Sequence, residues 1–79
     1  MLRNETYEGI TLDIYDRYGL LDIRSSETNR NAQIYLNGRC WEVHLYWIEN
    51  GEVMKHFETI RKNDKPEAVE LGKFWVTRR

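Results

Sequence analysis

Residues 39–60 read RCWEVHLYWIENGEVMKHFETI, and the way this stretch folds back on itself decides the fold. Trp41, Val43, Leu45 and Trp47 alternate with Cys40, Glu42, His44 and Tyr46, the period of a strand with one buried face. Asn50-Gly51 supplies a turn, and Val53, Lys55, Phe57 and Thr59 run back from it. A two-residue turn there would set Leu45 against His56 and Val43 against Glu58, mixing polar and apolar side chains on each face. A three-residue loop, Glu49-Asn50-Gly51, with Gly51 left-handed in a bulge, sets Trp47 against Val53, Val43 against Phe57 and Trp41 against Thr59. That register keeps the apolar residues together, so it is the one expected. Its other face then carries Cys40, Glu42, His44 and Tyr46 against Ile60, Glu58, His56 and Met54. His44 is expected directly opposite His56, and Glu42 opposite Glu58, with Cβ atoms about 4.5–5.5 Å apart.

Upstream, Ala32, Ile34 and Leu36 lead into Asn37-Gly38, a strong hairpin signal. A type I′ turn there pairs Leu36 with Arg39, Ile34 with Trp41 and Ala32 with Val43. Further back, Ile10, Leu12 and Ile14 alternate with Thr11, Asp13 and Tyr15. A four-residue loop over 16–19 would pair Tyr15 with Leu20, Ile14 with Leu21 and Leu12 with Ile23, putting the aliphatic residues on one face. Residues 25–31, SSETNRN, read as a polar loop. Downstream, residues 63–79 open with polar cap-like residues and Pro66, and Ala68, Leu71 and Trp75 follow at helical spacing. Gly72 costs roughly 1 kcal/mol in a helix interior. The expected helix is therefore short, starting near Pro66, with residues 74–77 as a last strand in the alternative.

The fold expected from this pattern is α+β: an antiparallel sheet of about five strands built from hairpins, with a short C-terminal helix. A small all-β barrel is the alternative. The core should be Ile10, Leu12, Ile14, Leu21, Ile23, Ile34, Trp41, Val43, Leu45, Trp47, Phe57 and part of the C-terminal aromatic group. Seventy-nine residues make one domain, 1–79. Aromatic residues make up 13% of the chain, enough large side chains for a small core to hold together. The single Cys excludes an internal disulfide. No signal-peptide pattern and no apolar run of membrane-spanning length is seen, so a soluble, cytoplasmic protein with no membrane partner is expected.

The net charge of −1 conceals an asymmetry. Residues 59–79 hold Arg61, Lys62, Lys65, Lys73, Arg78 and Arg79 against Asp64, Glu67 and Glu70. A basic tail of this kind is a candidate nucleic-acid contact, although an excess of three charges is also what an ordinary solvated surface carries.

Four kinds of chemistry compete for the polar face of residues 40–60. Two His and two Glu on one hairpin suggest a cation, but the zinc spacings are missing and the lone Cys has no partner, so no metal and no cofactor are expected. Cys40 and His44 are roughly 13 Å apart along a strand, too far for a thiolate–imidazole pair. An open sheet face excludes little water, and the five Gly are scattered singly without a phosphate loop, so no catalytic residues are assigned and no enzyme is expected. Tyr35, Tyr46 and the His pair could stack bases, yet Glu42 and Glu58 would repel phosphate in the middle of that face. Protein binding fits best. Tyr35, Glu42, His44, Tyr46, Met54, His56 and Glu58 form a mixed aromatic and polar face of the kind that anchors interfaces. Tyr15, Arg17 and Tyr18 are a second candidate patch. The expected function is a small non-enzymatic protein-binding module, a regulator, adaptor or inhibitor of a larger assembly. Its partner is another protein or a second copy of the chain, with nucleic acid the alternative. Small plain chains of this type are common among phage and mobile-element products that block larger enzymes.

Overall fold

A computed structural model describes residues 2–78, apart from the side chain of Met54. Six strands precede one helix: β1 (Leu2–Tyr7), β2 (Ile10–Arg17), β3 (Leu20–Ser25), β4 (Arg30–Asn37), β5 (Cys40–Glu49), β6 (Glu52–Lys62) and α1 (Lys65–Val76). Each strand pairs antiparallel with the next, in the order β1-β2-β3-β4-β5-β6. The expected antiparallel sheet of hairpins with a C-terminal helix is present, with six strands rather than about five, in a sheet-dominated fold that fits the α+β class only loosely. β1 escaped the sequence reading because LRNETY is polar on both sides and shows no buried stripe.

Four of the five connections are two-residue turns, closing on Tyr7 and Ile10, Arg17 and Leu20, Asn37 and Cys40, and Glu49 and Glu52. Two expected loops are thereby corrected. Tyr18-Gly19 replaces the four-residue loop, so Ile14 faces Ile23 instead of Leu21. The β4–β5 hairpin turns on Gly38-Arg39, with Ile34 opposite Val43 and Ala32 opposite Leu45. Gly38 sits at φ +66°, the Gly-first arrangement that matches strand twist. Both shifts are by an even number of residues, so the buried face survived while the partners changed.

The β5–β6 hairpin overturns the expected register. Asn50 and Gly51 both have positive φ (54° and 80°) and form a two-residue turn, not a three-residue loop. Two bulges in β6 then absorb the mismatch: Phe57 lies unpaired between Glu58 and His56, and Met54 between Lys55 and Val53. Above the bulges Val43 faces Ile60, His44 faces Thr59 and Glu42 faces Arg61.

α1 begins at Asp64, whose carboxylate accepts the Glu67 backbone N–H at 2.9 Å, with Pro66 in the first turn. It runs on to Val76, so residues 74–76 are helical and no seventh strand forms from 74–77. Gly72 does not end the helix. It is where the helix meets the sheet most closely: a Cβ there would stand 2.8 Å from Ile34 Cδ1 and 3.3 Å from Ala32 Cβ. Ala68, Gly72, Trp75 and Val76 form the buried stripe, packed on Ile10, Leu12, Ile14, Leu21, Ile23, Ala32, Ile34, Val43 and Leu45. Trp41 and Trp47 are only partly buried at its margin, and Phe57, expected inside, is 54% exposed.

A flat six-stranded sheet would separate its edges by roughly 24 Å. Yet both edges reach the one helix: Tyr7 donates its hydroxyl to Glu70, and the Phe57 ring stacks on Trp75 at 4.8 Å. The sheet therefore curls part-way around α1. It does not close into the alternative barrel, because β1 and β6 remain its two edges.

Candidate functional site

With α1 on the concave side, the other face of the sheet is left without a covering element among the described residues. The register organises it into rows that cross the strands. One row is Leu2, Tyr15, Asp22, Gln33, His44 and Thr59; the next is Asn4, Asp13, Arg24, Asn31, Tyr46 and His56. A third joins Tyr35, Glu42 and Arg61.

Glu42 is the centre of the β4–β6 part. Its side chain is only 8% exposed. Oε2 accepts from Asn37 Nδ2 at 2.9 Å and Arg61 Nε at 3.4 Å, and Oε1 accepts from Tyr35 at 3.1 Å and His44 Nε2 at 3.0 Å. These donors, Asn37 first and then His44, Tyr35 and Arg61, outweigh burial and hold the carboxyl at a pKa of about 2. The Tyr35 hydroxyl is pushed up in turn, chiefly by its hydrogen bond to that carboxylate.

The ionised Glu42 also sets the His44 tautomer. Nε2–H donates to the carboxylate, so in the neutral ring Nδ1 accepts the Thr59 hydroxyl at 3.1 Å. Thr59 Oγ1 accepts in turn from His56 Nε2–H at 2.8 Å. The directed chain His56 to Thr59 to His44 to Glu42 fixes both imidazoles. Tyr35 stacks on His44 (5.2 Å, 11°), His44 on Tyr46 (6.5 Å, 15°), and Tyr46 meets His56 edge-on at 5.4 Å. The near-parallel rings turn their faces to one another.

Of the expected binding residues, the structure brings together Tyr35, Glu42, His44, Tyr46 and His56. It corrects two pairings. His44 lies opposite Thr59 rather than His56, although the two imidazoles remain 6.0 Å apart. Glu42 lies opposite Arg61, and Glu58 sits opposite Leu45, off this face. An arginine thus stands where the second glutamate was expected. Met54 keeps its place in β6, but its side chain lies outside the described residues.

Asn37, Thr59 and Arg61 were missed as members of the site. The signal available was the spacing of Phe57 and Ile60, three residues apart, which a regular strand turns to opposite faces; the bulge falls at Phe57 itself. The second patch is assembled at the β2–β3 turn, where the Arg17 guanidinium lies 5.8 Å from the Tyr15 ring centre and 5.3 Å from that of Tyr18.

The basic residues of the nucleic-acid alternative are dispersed. Arg61 bonds Glu42 on the open face, Lys73 pairs with Glu5 at 2.8 Å, Lys65 sits over Trp41 and Arg78 over Phe74. Lys62 lines a groove on the helix side. Arg79 lies outside the described residues.

Chemically, Thr59, His44 and Glu42 have the order of a nucleophile, a base and an orienting carboxylate. A flat face leaves the attacking oxygen in water, and cavities of about 220, 140 and 410 Å³ are lined by other residues. Glu42 spends its acceptor capacity on four internal donors, so it anchors the ladder rather than offering a ligand oxygen. No family model matches the chain, and neither curated proteins nor solved structures provide a match.

Proposed function

We propose that this protein is a small non-enzymatic protein-binding module, a regulator, adaptor or inhibitor of a larger assembly, that docks through its open sheet face. One observation carries the reading. Tyr35, His44, Tyr46 and His56 form a partly exposed aromatic ladder whose geometry is fixed from beneath by the Glu42 network. Rings held before a partner arrives lose little conformational freedom on binding, which is how a few aromatic anchors come to dominate an interface. The rings present hydroxyl and imidazole tips, and the flanking charges are already paired as Asp22 with Arg24 and Glu42 with Arg61. Such a face suits a protein surface better than a polyanion, and stacked neighbours leave less free ring surface for bases.

The test is affinity capture from the cell of origin with and without nuclease, comparing wild type with Tyr46→Ala and His56→Ala. A stoichiometric protein partner is expected, weakened at least tenfold by Tyr46→Ala as an interfacial anchor would be. Equal capture by both variants would rule out this face. Capture abolished by nuclease would transfer the function to nucleic acid.

A further inference from the structure

The two edges of the curled sheet are not equivalent. β6 carries two bulges and the charges Lys55, Arg61 and Lys62, devices that discourage another strand from pairing. β1 has neither bulge nor break: all six residues, Leu2 to Tyr7, stay in register with β2.

Its outward groups follow from the turn. Tyr7 and Ile10 close a two-residue hairpin and so form a hydrogen-bonded pair, which makes Thr6 and Thr11 a non-hydrogen-bonded one. The Thr11 amide agrees, since it points away from β1 and donates to Glu27 Oε2 at 2.8 Å. The N–H and C=O of Thr6, and by alternation those of Asn4, therefore face outward from β1. Among the described residues no strand pairs with that edge.

At the Tyr7 end of this edge lies a groove of about 410 Å³ lined by Tyr7 of β1, Lys62 of β6 and Glu67, Glu70, Leu71 and Phe74 of α1. Phe74 is 43% exposed there. Leu71 and Phe74 are the apolar part of the groove, with the Arg78 guanidinium 3.8 Å from the Phe74 ring centre; its charged lining is Glu67 and Glu70, the latter bonded to Tyr7, against Lys62.

We propose that an extended segment of a partner protein adds a seventh strand to β1, setting alternate apolar side chains over Leu71 and Phe74 and a Lys or Arg near Glu67. Main-chain pairing supplies the affinity, and the groove selects the side chains, as in other cases of strand addition. A second copy fits less well. Its own β1 would turn Arg3, Glu5 and Tyr7 inward, two charged residues for one aromatic. This surface is separate from the open face, so either proposal can fail without the other.

The experiment is selection of a displayed random-peptide library on the intact protein, followed by affinity measurement on resynthesised winners. Enriched sequences should alternate apolar residues and carry Lys or Arg. Thr6→Pro removes an outward amide that β2 does not use, and Phe74→Asp spoils the apolar part of the groove; each should weaken binding about tenfold or more. Glu67→Lys, an exposed change that leaves the fold alone, should weaken the basic peptides and favour acidic ones. Tyr46→Ala should have no effect. The proposal is overturned if nothing enriches, or if winners bind Thr6→Pro and Phe74→Asp like wild type. Loss of binding in Tyr46→Ala would also overturn it, as would a concentration-dependent dimer abolished by Thr6→Pro, which makes a second copy the occupant.

Discussion

Glu42 couples the open face to acidity. Its carboxyl titrates at about 2 in the folded chain against an ordinary 4.5, because Asn37, His44, Tyr35 and Arg61 all stabilise the charged form. A depressed folded-state value means the stabilisation is fully present above the ordinary pKa and is lost as pH falls from about 4.5 toward 2. Glu5, lowered chiefly by Lys73, loses its contribution in the same direction. Comparison with Glu42→Gln therefore isolates the central residue. The variant should melt well below wild type at about pH 5, and the gap should narrow steadily toward about pH 2. A gap independent of pH would mean that Glu42 is not the ionised hub of the ladder.

At the scale of elements, the contact between α1 and the sheet is set by Gly72. Helix propensity alone favours Gly72→Ala by roughly 1 kcal/mol. The new methyl would meet Ile34 Cδ1 at 2.8 Å in the core, and overpacking of that kind costs roughly 1–3 kcal/mol. The clash should win, so Gly72→Ala is expected to lower stability. Ile34→Val deletes the clashing atom and alone costs roughly 0.5–1.5 kcal/mol. In the double variant the two losses should not add, with a favourable coupling of about 0.5 kcal/mol or more in denaturant titrations. Strict additivity would show that the helix slides away instead. The same contact explains what the sequence left unread in this element. Gly72 looked like a helix terminator because propensity is local, whereas its reason for being Gly lies on β4.

The whole molecule was legible to the depth of its alternation. Ile10, Leu12, Ile14, Leu21, Ile23, Ile34, Val43 and Leu45 were assigned to one face and are all buried together. An error of two residues in register leaves a face unchanged and alters only partners, as at Ile14 and Ile34, so the core was readable; at His44 and Glu42 the error was three residues, which took Glu58 off the open face and brought Arg61 onto it. β1 had no signal in alternation by itself. Cooperativity joins these parts. Trp75 stacks on Phe57, meets Trp47 at 5.0 Å, lies under Arg30 at 4.2 Å and donates its indole N–H to the Tyr46 carbonyl at 3.3 Å. The helix thus touches the strand that carries the open-face ladder, and through Lys73–Glu5 and Tyr7–Glu70 it also holds the far edge. A chain of this length has a total stability of roughly 4–12 kcal/mol, and truncating a buried Trp to Ala removes roughly 3–5 of it. Wild type should therefore unfold in one step, with far-UV circular dichroism and Trp fluorescence tracing the same thermal curve. Trp75→Ala should shift both curves down together, and Trp75→Phe should recover part of the loss. If the fluorescence change came first and the sheet signal persisted to higher temperature, the sheet would stand without its helix. The open face would then be independent of what binds beside β1; a single transition would instead place both surfaces on one cooperative unit.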